Sequence, residues 1–422
     1  MPKYVIVFCC LLLSFSGNSF AEDLQLETNS GAEISVSRYK SQSGKTENVL
    51  LWIPTEYGIR GKEANTAKEL TKKGIEVWIA DIHSSYFIPP GRRSYNDIPL
   101  SDITDLILAV KKETKARDVI LFATGRAAPL ALQAARQLQL NPNTADIIKR
   151  AVLFHPNFYK HTTIVGKNIE YIDITRATNL ALYIVQPSLS GKHYQTNTLK
   201  KQLQQGGSDV IIHALKGAND GFNVLPTRNK KEESFYLQTP SIISRAITFL
   251  SHYDKPRVAA KLGKSNSAPV ASISPGLQVY RGNISNPLLN FNDLQGVPHS
   301  LKKHKGKVLL LNFWATWCPP CVKELPSLNR LRNKVNNENF KILAIDIGEE
   351  TETVKQFLKP MEIEFSVLTD PEGESVKPWN LIAFPSSFVI DKHGKIRYGL
   401  FGAIEWDDPE VIKIIQKLLQ ES

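Results

Sequence analysis

The chain has 422 residues, a net charge of +11, and is 42% hydrophobic and 22% charged. That length is too great for one typical core and points to two domains, and the composition excludes a chain that is disordered over most of its length. Its Lys and Arg are scattered, with no dense basic run interleaved with aromatics. Nucleic acid therefore has no support as a partner, and the charge suits acidic partners or an anionic membrane surface.

In chain order, the first expected element is an export signal over residues 1–21. Lys3 gives a positive start, Tyr4 to Leu13 is apolar but short for a bilayer span, and Ser19-Phe20-Ala21 offers a small-x-small cleavage pattern. An uncleaved inner-membrane anchor is the alternative. Cleavage after Ala21 would remove Cys9 and Cys10 and leave Cys318 and Cys321 as the remaining thiols, in an oxidising periplasmic compartment.

Residues 22–254 alternate strand and helix signals. Strands are expected at Val49–Ile53, Val77–Asp81, Val119–Thr124, Ala151–His155, Leu180–Gln186 and Val210–Leu215. Helices are expected at Lys62–Lys73, Ile103–Lys112, Ala127–Gln139, Thr198–Gln205 and Ile242–His252. This alternation predicts a parallel sheet covered on both faces. Residues 255–275 are rich in Pro, Ser, Ala, Gly and Lys without apolar periodicity, which reads as a linker.

Residues 276–422 form the second expected domain. An apolar strand from Val308 to Leu311 runs into Trp317-Cys318-Pro319-Pro320-Cys321. A helix follows, with Val322, Leu325, Leu328 and Leu331 on one side and Lys323, Glu324 and Arg330 on the other. Further strands are expected at Ile342–Ile347 and Phe365–Leu368, a helix at Val354–Leu358, a hairpin around Lys392-His393-Gly394, and a closing helix at Val411–Leu419.

Two thiols two residues apart, where a strand meets a helix, are placed for reversible dithiol–disulfide exchange. The Cys318 sulfur would lie beside the unpaired N–H groups of the helix start, which favour the thiolate. Pro319 suits the first helical turn, where its missing N–H costs little. Cys318 is the expected attacking thiol and Cys321 the resolving one. Half a zinc site and a structural staple are the alternatives. No His among His299, His304 and His393 has metal-ligand spacing to the pair, so no metal or other cofactor is expected.

The run Asn312-Phe313-Trp314-Ala315-Thr316-Trp317-Cys318-Pro319-Pro320-Cys321, the following Lys323-Glu324-Leu325-Pro326 and the later Ala383-Phe384-Pro385-Ser386-Ser387-Phe388 resemble the TlpA/ResA-type thioredoxin-like proteins, which are extracytoplasmic thiol–disulfide oxidoreductases. The resemblance implies a thioredoxin-like fold for the C-terminal domain. It implies a cis-proline at Pro385, with Phe384 and Trp317 on the substrate side, and proton handling by an acid at Ile345-Asp346-Ile347-Gly348-Glu349, where Glu349 is the candidate. It further implies exported protein substrates with disulfides, apocytochrome c among the possibilities, and a membrane thiol carrier as electron source. Disulfide oxidation or isomerisation remains open as the direction of the chemistry.

The N-terminal segment resembles an α/β-hydrolase, whose nucleophile stands in Gly-x-Ser-x-Gly between strand and helix. Here the elbow reads Ala123-Thr124-Gly125-Arg126-Ala127, with Gly125 where the Ser belongs. Asp220 occupies the place of the late His, and Pro187-Ser188-Leu189-Ser190 supplies only hydroxyls where an acid is needed. All three triad roles are vacant, and Thr124 lacks an evident base. The expectation is a catalytically silent domain that binds a partner. The alternative is a hydrolase or ligand-binding module assisted by the thioredoxin-like part. Asp81, His83, Arg92 and Arg93 follow a strand end without a motif that assigns them work.

Overall fold

The structure is a computed structural model that describes residues 21–43, 48–91, 93–114, 116–160, 169–227, 230–255, 257, 259, 276–284, 287 and 289–421. The expected signal segment lies outside them except for Ala21, as do Arg92 and all of the expected linker except Lys255, Arg257 and Ala259. Among the described residues no helix is long and apolar enough to cross a membrane. The chain forms two compact units, one drawn from residues 1–158 and 171–266, the other from 159–170 and 267–422.

The first unit runs β1 (Glu22–Glu27), β2 (Glu33–Tyr39), β3 (Asn48–Ile53), α1 (Lys62–Thr71), β4 (Ile75–Ala80), α2 (Ile82–Ser85), α3 (Leu100–Glu113), β5 (Asp118–Thr124), α4 (Ala127–Gln139), β6 (Arg150–Phe154), β7 (Ala181–Leu189), α5 (Thr196–Gln205), β8 (Asp209–Asn219) and α6 (Lys230–Leu250). Its eight-stranded sheet has the order β1-β2-β4-β3-β5-β6-β7-β8. The pairs from β4 through β8 are parallel. The central strands β3 to β6 are largely apolar and buried along nearly their whole length because both of their faces are covered.

Two expectations are corrected here. The sheet is mixed rather than parallel, because β1 pairs antiparallel with β2, and β2 antiparallel with β4. The signal is a two-residue period, Leu24 and Leu26 against Ile34 and Val36, across a turn closed by Gly31 at φ 86°. The last helix begins at Lys230 rather than Ile242 and carries Pro240 inside it. Proline removes one helical N–H, which makes it a natural stop sign in sequence. Tertiary burial overrides that cost, since Thr239, Pro240, Ile242, Ile243 and Ala246 all face the core.

The second unit runs β9 (Gln278–Val279), β10 (Asn290–Asn292), β11 (Pro298–Ser300), β12 (Val308–Trp314), α7 (Pro319–Val335), β13 (Phe340–Ile347), α8 (Thr351–Leu358), β14 (Ser366–Asp370), β15 (Ser386–Ile390), β16 (Ile396–Phe401) and α9 (Pro409–Gln420). Its sheet order is β14-β13-β12-β15-β16-β9, and β10 with β11 forms a separate hairpin. β12 is parallel to β13 and antiparallel to β15, so it lies inside the sheet with all seven residues buried. This is a thioredoxin-like fold, and it delivers the end of β12 directly to the start of α7.

Candidate active site

β12 ends in the turn Ala315-Thr316-Trp317, closed by the Cys318 N–H donating to the Ala315 carbonyl at 3.2 Å. Cys318 is the N-cap of α7, in an extended conformation with φ −100° and ψ 98°. Pro319 and Pro320 occupy the first helical positions, where an N–H would have no helical partner. The first available amide, that of Cys321, points at the Cys318 Sγ from 3.3 Å. The sulfur therefore sits in the positive field of the helix start, which favours negative charge on it. A disulfide joins Cys318 and Cys321, with Cα atoms 5.3 Å apart. Cys318 is 5% exposed and Cys321 is 0% exposed, so what access there is belongs to Cys318.

Behind the pair lies a group that sequence reasoning put on the wrong side of the helix. The spacing sets Glu324 with Lys323 and Arg330 on the side opposite Leu325 and Leu328, but it is 1% exposed. It follows Cys321 by three residues and shares its face. Its Oε1 accepts from Asn312 Nδ2 at 2.7 Å and its Oε2 from Trp406 Nε1 at 3.0 Å. Asn312 Nδ2 also donates to Ser387 Oγ on β15 at 3.0 Å, so the amide bridges three elements. Burial outweighs these hydrogen bonds and pushes the Glu324 carboxyl up to about 7. The legible signal was the spacing Cys321, Glu324, Leu325, Leu328, which is i, i+3, i+4, i+7 on one face.

Glu349 does reach the redox turn. Its carboxylate accepts from the Thr316 N–H at 2.7 Å and the Thr316 Oγ1 at 2.6 Å, two residues before Cys318. It is half-buried and acts as a clamp on the turn in this geometry. Asp346, three residues earlier at the end of β13, is 0% exposed. Burial first, then the nearby Glu349 and Asp370, hold its carboxyl well above the usual carboxylate range. The resemblance marks the segment Ile345-Asp346-Ile347-Gly348-Glu349 for an acid, with Glu349 rather than Asp346 as the candidate.

Trp317 and Phe384 pack edge to face with centroids 5.7 Å apart, both half-buried. The Phe384–Pro385 peptide is cis, and Pro385 is buried. The Gly402 N–H donates to the Pro385 carbonyl at 2.9 Å and ties this loop to β16. Among the described residues no group of three or more His, Cys, Asp or Glu is arranged to hold a metal ion.

The residues that the hydrolase resemblance singles out in the first unit are placed as follows. Gly125 makes the turn between β5 and α4 at φ 59°. Asp220 follows β8 and pairs with Lys192 at 2.5 Å. Ser188 Oγ accepts from the Gly217 N–H at 2.8 Å, and Ser190 Oγ from the Lys192 N–H at 3.2 Å. Thr124 is 0% exposed, and its Oγ1 has no hydrogen-bond partner among the described residues. The buried His83 Nε2 contacts Ser94 Oγ at 2.9 Å, but that hydroxyl donates to the Gly91 carbonyl at 2.8 Å, so the imidazole does not activate it. Asp81 caps α2 through the Ser84 N–H.

The fold and the dithiol turn define a thioredoxin-like thiol–disulfide oxidoreductase. Residues 285–399 match the AhpC/TSA family. The chain is 38% identical over 137 residues to the thiol-disulfide oxidoreductase ResA of Bacillus cereus (strain ATCC 10987 / NRS 248), covering 30% of this chain and 79% of that relative. It is 33% identical over 118 residues to ResA of Geobacillus kaustophilus (strain HTA426), covering 28% of this chain and 68% of the relative. The crystal structure of a thiol:disulfide interchange protein of the thioredoxin family from Chlorobium tepidum TLS is 28% identical, with a TM-score of 0.28, and covers 31% of this chain and 93% of that one. Through its C-terminal unit the chain belongs to the ResA family of thiol–disulfide oxidoreductases.

Proposed function

We propose that this protein is exported to the periplasm and reduces disulfides of protein partners there through Cys318 and Cys321. The observation that carries the reading is the Cys318 sulfur on the start of α7, with the Cys321 amide aimed at it and the buried Glu324 carboxyl one turn behind. In the reduced form, the Cys318 thiolate attacks one sulfur of a partner disulfide. A Cys318–partner S–S bond forms, the partner bond breaks, and the departing sulfur takes a proton from solvent. Glu324 then accepts the Cys321 thiol proton, and the Cys321 sulfur attacks Cys318 Sγ. The Cys318–Cys321 bond forms and the second partner thiol is released. Two electrons have passed to the partner, and a membrane thiol carrier returns them. Glu349 holds the turn through Thr316, while Trp317, Phe384 and Pro385 form the shelf on which the partner chain lies. Apocytochrome c, with its paired haem-binding thiols, is a partner of the right chemistry.

The first unit is an α/β-hydrolase-like domain without a triad, and its task in this reading is to hold the partner. Its support is the sharp glycine turn between β5 and α4 together with the vacant base and acid positions. Capture with Cys321→Ala is the decisive experiment. The variant should retain partners as mixed disulfides on Cys318, and Cys318→Ser should retain none. If both variants come from the exported fraction bare, the partner model is wrong. Direction is read separately, by equilibration with glutathione. Reduction predicts a potential toward about −270 mV, and a value near about −120 mV would reassign the protein as an oxidant.

A further inference from the structure

The turn after β5 in the first unit is not empty. We propose that it is a carboxylate-binding notch whose built-in occupant is Glu56, so that the site is closed to chemistry by a residue of its own chain. Glu56 lies in the loop after β3. Its Oε2 accepts from the Arg126 N–H at 3.0 Å, and its Oε1 lies 3.6 Å from Arg126 Nε. One backbone N–H and one guanidinium on a single carboxylate is a carboxylate-recognition geometry. The Glu56 side chain is 11% exposed.

The notch and a side chain at residue 125 compete for the same space. A Cβ built on Gly125 would lie 2.5 Å from Glu56 Oε2, closer than atoms can approach. The Arg126 N–H, which belongs to the residue after the elbow position, is the donor that would face a developing oxyanion in an active hydrolase. Here that donor is spent on Glu56.

The loop is held so that Glu56 cannot swing away freely. The Glu56 carbonyl accepts from the Gly91 N–H at 2.7 Å. Tyr95 donates its hydroxyl to the Pro54 carbonyl at 2.6 Å. Around the notch the protein leaves polar capacity unused. Thr124 Oγ1 and Asn223 Nδ2 are buried without a hydrogen-bond partner among the described residues. The His155 Nε2 lies 3.3 Å from Asn223 Oδ1, and burial favours the neutral form of that imidazole. A cationic guanidinium and an aimed N–H suit a small monocarboxylate wherever Glu56 is removed.

The test uses the full chain and involves no thiol chemistry, so its failure leaves the dithiol reading untouched. Sodium acetate is titrated against sodium chloride of equal ionic strength while Tm is followed. Glu56→Ala should gain about 3 °C at tenfold excess over Kd, and the native chain and Glu56→Gln should gain nothing. An equal response in all three proteins, or none in Glu56→Ala, overturns the proposal. A second measurement needs only mild changes. Gly125→Ala should lower the denaturant midpoint less in a Glu56→Asp background than in the native chain, because the strained φ is common to both and cancels. Equal losses would show that no carboxylate occupies the notch.

Discussion

Burial raises the Glu324 carboxyl to about 7, so near neutrality this one side chain is poised to take a proton or to give one. The same shift links it to stability. Its folded value lies above its ordinary 4.5, so the folded state binds the proton more tightly than the unfolded chain. The stability this contributes is fully present below about pH 4.5 and is lost as pH rises through about 7, amounting to about 3 kcal/mol. Glu324→Gln should flatten the stability profile between those limits, which denaturant titration at several pH values would read. It should also slow release of trapped partner by about a hundredfold, with little change in the first attack by Cys318. An unchanged pH slope together with an unchanged release rate would remove Glu324 from the proton path. The thiol pair was legible because its meaning is local: strand, turn and helix start are consecutive in sequence. Glu324 was not read, because its role depends on Asn312 and Trp406, residues 12 and 82 positions away.

At the scale of elements, α7 has two tasks, since its N-terminus presents the sulfur and its inner face packs on the sheet. Leu325, Leu328 and Leu331 are all 1% exposed or less. Leu328→Ala should cost about 3 kcal/mol of unfolding free energy by leaving a cavity between helix and sheet. Chemical denaturation would measure it, and a loss under about 1 kcal/mol would mean the helix can settle into the gap. Long periodic segments such as Ala127–Gln139 were readable to the residue, since apolar spacing and burial agree there. The β1–β2 hairpin was passed over although its alternation is plain, because a βαβ rhythm further along dominated the reading. α6 runs on through Pro240, where packing outweighs the local cost of the missing N–H.

For the molecule as a whole, the division into two units gives a proteolysis prediction. Arg257 is tied by Nη1 to the Asn179 carbonyl at 2.8 Å and by Nη2 to Asp209 at 2.7 Å, so it is guarded from trypsin. Lys261 and Lys264, in the segment whose composition reads as a linker, should be cut first and give a C-terminal fragment that carries the dithiol. Mass spectrometry of the early fragments checks this, and early cuts inside α1 or α7 would contradict it. Acid should act against each unit through its buried histidines, opposed in the second unit by the gain from Glu324. His83, His155 and His213 in the first unit and His304 in the second have folded pKa values held down by burial. Stability from such groups is present above about pH 6.5 and falls as pH drops toward their folded values.

The shared space at Gly125 and Glu56 sets an order on change. For any lineage or laboratory series that alters one residue at a time, installing a side chain at 125 first meets a collision with Glu56, and shortening Glu56 first takes the carboxylate off the Arg126 N–H. Each single step descends before the pair can climb. Residues 56 and 125 are therefore coupled, and the effect of a change at either depends on what stands at the other.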